Sequence, residues 1–225
     1  IFTANLNAYY TLWMDKSFVR STQMSNGDYA RINLGGVDAR HMGIELDFSL
    51  RPTRWMDITG MLSLGNWIWD SNTKGYIYDS QGQPMTAALD GTVASGIMAD
   101  DHAWLFLKQK GIKVGGSAQT TGAIGVTVRP MKGLRVSADW NAYGNNYADF
   151  WLGSGLNGNQ TIEVKDPWRI PWGHQLDLSA SYRFKIGNIF DTIYGNVNNV
   201  YNYNHIMDAQ SDALQEGIWQ NAYAV

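Results

Sequence analysis

"NLNAYYTLWM", residues 5–14, alternates Leu6, Ala8, Tyr10, Leu12 and Met14 with Asn5, Asn7, Tyr9, Thr11 and Trp13, and it carries no charge. A period of two is a β-strand with one apolar and one polar face. Such an apolar face covers either a protein core or, in a membrane barrel, nothing but lipid. The pattern recurs along the chain. It is carried by Met42, Ile44, Leu46, Phe48 and Leu50, by Ile58, Leu62 and Leu64, and by Ile124, Val126 and Val128. Further on it returns at Leu134, Val136, Ala138 and Trp140, then at Leu176, Leu178, Ala180 and Tyr182. A weaker version covers 189–201. No stretch has a helical period, so the class is all-β.

Composition agrees with either location of the apolar face. Of 225 residues 44% are hydrophobic and only 16% charged, below the roughly 25% of soluble domains, and there are 10 Trp, 12 Tyr and 7 Phe. Mean hydropathy is −0.29, but a barrel with a wet lumen and long loops lowers that average. The net charge of −3 argues against a nucleic-acid partner, and the absence of cysteine excludes disulfides and thiolate chemistry. Connections alternate in length. Residues 51–54, 130–133 and 187–188 read as tight turns, whereas 15–40, 70–117, 144–173 and 202–222 read as long loops. All five prolines fall in turns or loops on this reading. Short turns at one end and long loops at the other predict an antiparallel up-and-down sheet, with strands of 9–14 residues suited to a tilted membrane crossing.

Three stretches carry a resemblance. "GGVDARHMGIELDFSLRPTRWMDITGMLSLGNW" (35–67) is similar to the strand–turn–strand unit of TonB-dependent outer-membrane receptors of the Bacteroidetes type. "VGGSAQTTGAIGVTVRPMKGLRVSADWNAYGNNYADF" (114–150) resembles a second such hairpin. "PWGHQLDLSASYRFKIG" (171–187) followed by "GNVNNVYNYNHIMDA" (195–209) is similar to the penultimate one. The resemblance implies that residues 1–225 are the C-terminal portion of a 22-stranded receptor β-barrel, with the plug domain and the closing strand outside them. It implies periplasmic short turns and extracellular long loops in the outer membrane of a Gram-negative bacterium. The implied partners are the outer-membrane bilayer, the TonB complex acting through the plug, and a surface lipoprotein. The implied function is energised uptake of a scarce nutrient of the ferric siderophore, haem or cobalamin class. A glycan importer with a lipoprotein lid is the alternative within the family. Outside it stand a closed eight-stranded barrel acting as anchor or adhesin, and a soluble carbohydrate-binding sandwich that would bury Leu6, Leu46 and Leu178.

On the barrel reading Leu6, Leu12, Ile44, Leu46, Phe48, Leu62, Val126, Val136, Leu176 and Leu178 face lipid, and Tyr10, Trp140 and Tyr182 sit at headgroup level. Trp67, Trp69, Tyr143, Tyr147 and Trp151 are the candidate ligand-binding aromatics of the extracellular rim, with ordinary loop packing as the plainer alternative. Glu45, Asp47, Asp57, Arg129, Arg135, Asp139, Asp177, Arg183 and Lys185 fall on the wet face. Asp100, Asp101 and His102 form the most metal-like cluster but read better as a solvated loop tip. "DSNTKGYIYDSQG" (70–82) lacks the ligands of a calcium loop, and its end, "YDSQGQP", reads as a hairpin turn. His174, Asp177 and Ser179 spell a triad on paper only. No metal, cofactor or enzymatic chemistry is expected of the chain.

Overall fold

A computed structural model describes residues 1–23, 27–86, 102–153 and 159–213, and the backbone of 219–224. Its strands are β1 (Phe2–Gln23), β2 (Tyr29–Thr53), β3 (Met56–Trp69), β4 (Thr73–Tyr78), β5 (Trp104–Lys108), β6 (Thr120–Val128), β7 (Leu134–Gly144), β8 (Asn146–Tyr147), β9 (Asp149–Trp151), β10 (Gln160–Glu163), β11 (Arg169–Ile170), β12 (Gly173–Ile186), β13 (Ile189–Val197), β14 (Ile206–Asp212) and β15 (Trp219–Ala224). The described chain is all-β.

Seven of these strands make one wall, in the order β1-β2-β3-β6-β7-β12-β13, with every neighbour antiparallel. The register aligns the apolar positions from strand to strand. Leu6 faces Leu46, Leu46 faces Leu62, Ile58 faces Val126, Val126 faces Ala138, Ala138 faces Leu178, and Leu178 faces Val197. The other face is polar, as in Asn5 with Asp47, Thr127 with Ser137, and Ser179 with Asn196. The wall is open: among the described residues β1 and β13 do not pair.

Among the described residues no second layer covers the wall's apolar face. Leu6 is 73% exposed, Leu46 38% and Leu178 39%. These are the three side chains that a sandwich would bury. The other predicted outward residues, from Leu12 to Leu176, are likewise exposed or half-exposed.

The packed core lies elsewhere, at the long-loop end. Strands β1 and β2 are 22 and 25 residues long, roughly 70–80 Å at the usual rise, more than twice a hydrocarbon core. Their upper ends join β4, β5 and β10, and Ala30, Ile32, Leu34, Ile77, Leu105 and Leu107 pack against Phe150, Leu152 and Ile162. Paired bulges make this possible. The register shifts once between Trp13 and Lys16 and again between Lys16 and Phe18, with Asp15 and Gly36 both at positive φ. A one-residue slip exchanges the faces of a strand. Leu34 therefore points to the same side as polar Glu45, although its parity matches Leu46.

Several expectations are corrected. The segments read as loops hold β4, β5, β8–β11, β14 and β15, and the upper ends of β1 and β2. The sheets are not purely antiparallel, since β10 pairs β5 and β14 pairs β9 in parallel. Pro52 lies inside β2, at the register shift between Leu50 and Thr53, where the ladder is already interrupted.

Candidate functional site

The polar face carries the candidate site. Near the short turns it forms a groove of about 570 Å³ lined by Ser49, Thr59, Thr127, Ser137, Ser179 and Ser181, among others. Asp57 is held there between Arg51 Nε at 2.5 Å and Arg129 Nη1 at 2.6 Å. Arg183 and Lys185 lie over the Phe190 ring at 4.8 and 5.5 Å. Asp57 is thus neutralised within the wall by its two arginines, whereas Arg183 and Lys185 are held by an aromatic ring.

Toward the long-loop end the polar face becomes aromatic. Trp67 donates its indole N–H to the Tyr9 hydroxyl at 2.9 Å and stacks on His41 at 5.0 Å, and Trp13 meets His41 edge-on at 6.3 Å. Buried Gln119 fixes this strand end. Its Oε1 accepts from Trp67 N at 2.9 Å, and its Nε2 donates to the carbonyls of Trp67 and Val114, each at 3.0 Å. The site is rigid because both ends of one amide are used on the backbone.

The five predicted rim aromatics do not form one floor. Trp67 on β3 and Tyr143 on β7 both lie on the polar face, with β6 between them. Trp69 is a correction: it is 7% exposed and packs on Phe18 with ring centroids 5.5 Å apart, so it is core. Tyr143 stacks on His205 at 5.9 Å beside a cavity of about 280 Å³ that also touches Asn146 and Met207. Tyr147 packs beside Lys113, whose ammonium lies 5.8 Å from the ring. Trp151 belongs to β9, half-buried next to β14.

The alternation in 5–14 places Tyr9 and Trp13 on the wet face, but it gives no binding role to Tyr9, Trp13, His41 or His205. The signal existed for Tyr9, Trp13 and His41, which alternate opposite the apolar positions; His205 depends on the fold of the distant segment 198–205.

The remaining sequence candidates have structural roles. His102 bonds the Ile77 carbonyl at 2.7 Å and packs against Tyr76 and Tyr78; Asp100 and Asp101 lie outside the described residues. Asp79 closes the 79–83 hairpin by accepting from Gln81 N and Gln83 N. His174 stacks on Tyr203 at 4.8 Å, whereas Asp177 accepts from Gln175 and Asn199 N on the other face. The three residues of the paper triad therefore do not converge. No family model matches the chain, and neither a curated protein nor a solved structure matches it.

Proposed function

We propose that this chain is a wall segment of an outer-membrane receptor barrel of the TonB-dependent kind, taking up a scarce nutrient such as a ferric siderophore, haem or cobalamin. One observation carries the reading: a mainly apolar face runs across seven antiparallel strands and stays uncovered among the described residues, while the opposite face is polar and strands from the long connections pack together at one end. An uncovered apolar surface of this extent has a partner, and lipid fits a face with strands long enough to cross the hydrocarbon. The aromatic group around Trp67 and His41 lies on the wet face directly below the packed loop core, where a ligand that has passed that core would meet the wall.

The free edges bear on how such a wall closes. Six antiparallel steps separate β1 from β13, so the two edge strands run in the same direction. All-antiparallel closure then needs an odd number of further strands, and copies of this seven-stranded wall alone would meet edge to edge in parallel. An open edge is not tolerated in hydrocarbon, so the reading requires those additional strands.

The test is fractionation of cells that carry the native protein, followed by intact mass and detergent dependence. Recovery from the outer-membrane fraction, solubility only in detergent and a mass several-fold above 25.2 kDa are the expected results. A membrane protein of about that mass would replace the reading with a small closed barrel. A monodisperse, detergent-free protein would overturn it.

A further inference from the structure

The cavity of about 280 Å³ beside Tyr143 lies on the polar face at its loop end, where Thr121 of β6 pairs in register with Tyr143 of β7. His205 and Met207 converge on it: the imidazole Nε2 lies 3.1 Å from the thioether sulfur. Each of the two is held in place. The His205 ring lies parallel to those of Tyr143 and Tyr203, at 5.9 and 6.4 Å. It fits because position 173 is glycine, where a Cβ would stand 2.6 Å from the imidazole. Met207 is tethered through its carbonyl, which accepts from Asn146 Nδ2 at 2.8 Å, and the residue is half-exposed. No carboxylate lines the cavity, and the chain has no cysteine.

We infer that His205 and Met207 form a binding site for a soft monovalent metal ion of the Cu(I) class. The inference stands on this cavity and does not need the membrane reading. A thioether is a weak hydrogen-bond acceptor, but beside an imidazole it makes a ligand set that selects Cu(I). Ca²⁺ and Mg²⁺ take carboxylate oxygens, which the cavity does not offer. The distance agrees. Metal bonds to imidazole nitrogen and to sulfur run about 2.0 and 2.3 Å, so one ion bridges N and S atoms roughly 3.0–4.3 Å apart, from a right angle to a straight line. The 3.1 Å separation lies at the right-angled end, and rotation of the Met207 side chain widens it. Binding moves the imidazole proton from Nε2 to Nδ1, which is buried without a partner among the described residues. A metal-bound histidine ordinarily gives that proton to an acceptor, and lacking one costs about 10–100-fold in affinity. The site therefore suits reversible capture of an ion and not a permanent structural one.

The experiment is equilibrium dialysis of the complete protein against Ag(I), a redox-inert stand-in for Cu(I), in chloride-free buffer. Bound silver is counted by elemental mass spectrometry. Wild type should hold one more silver ion per chain than Met207→Leu, which keeps the volume without the sulfur. The same difference should separate it from His205→Phe, which keeps the stacked ring without its nitrogens. Affinity at this site should fall more than about tenfold in both variants. Met131→Leu removes an exposed thioether at a short turn and should leave the count unchanged, as should excess Ca²⁺. Equal silver in wild type and Met207→Leu, or displacement by Ca²⁺, overturns the inference. An equal loss in Met131→Leu reduces the effect to non-specific thioether binding and overturns it as well. Met207 is half-exposed, so its leucine variant should fold and decides the question even where His205→Phe does not fold.

Discussion

Leu6 and Leu46 lie directly opposite each other across β1 and β2, and both remain exposed. A few turns of chain away, Ile32 and Leu105 are completely buried. The molecule thus has two kinds of apolar residue with the same strand pattern, and they answer to different solvents. Leu6→Ala leaves no cavity in a protein interior, so in lipid or micelle it should cost under about 1 kcal/mol. Ile32→Ala opens a void among packed neighbours and should cost about 2–5 kcal/mol. Urea unfolding of both variants in the same micelle measures the difference. Equal costs would mean that Leu6 is packed by protein, against the lipid reading.

Gly36 tests the parity exchange. At a φ of +66° any side chain is strained, and relief comes by removing the bulge that sends Ala30, Ile32 and Leu34 into the core. Gly36→Val should destabilise the loop cluster by about 1–3 kcal/mol. Hydrogen exchange should speed up over 30–34 and 103–107 and stay unchanged over 44–48. Uniform acceleration along the whole of β2 would show that the two zones are not separable.

Most of the wall was legible in the sequence because six of its strands, below the bulges, follow one rule, polar on one side and apolar on the other, as 5–14 does; β13 follows it more weakly, with Asp191 opposite Phe184. The loop core was not legible for a physical reason. Ala30, Ile32 and Leu34 obey the same rule, but Gly35 and Gly36 separate them from Met42 and Ile44, and sequence spacing does not reveal a bulge opposite a second bulge. Trp69 shows the same limit. It continues the alternation of Trp67, yet two residues farther up the strand the open face has become the floor of a packed core. The short pieces β8, β9 and β11 hold two or three residues each, too few for any period to register.

Gln119 predicts a local effect around Trp67. Its amide is 2% exposed and serves one backbone N–H and two carbonyls. Gln119→Leu fills the space but takes the side-chain partner from Trp67 N and from the Val114 carbonyl, while the Trp67 carbonyl keeps the Val114 N–H at 3.1 Å; each group left dry costs about 1–3 kcal/mol. Gln119→Glu should be milder below about pH 4, where the neutral acid accepts from Trp67 N through its carbonyl oxygen and donates its hydroxyl to one of the two carbonyls. Thermal melting in that range should rank the proteins wild type, Gln119→Glu, Gln119→Leu. A Leu variant as stable as wild type would mean that the strand end is held by other contacts.

Arg20 and Asp149 tie the upper end of β1 to β9 through a 2.9 Å ion pair, with the guanidinium between the rings of Phe18 and Phe150 at 4.7 and 4.9 Å. Burial pushes the Asp149 carboxyl above its ordinary range; Arg20 pulls the other way but does not cancel the shift. Part of the side chain still meets solvent, which keeps the push modest. A folded-state value above the unfolded one means that the folded chain binds this proton more tightly. The contribution of Asp149 to stability therefore falls as pH rises from about 4 through the raised value, and is constant above it. Asp149→Asn has no such proton. The stability of wild type minus that of the variant, followed by thermal melting across this window, should decline with pH. A difference that rises instead would mean that the ion pair with Arg20 outweighs burial and that the carboxyl is held below its ordinary range.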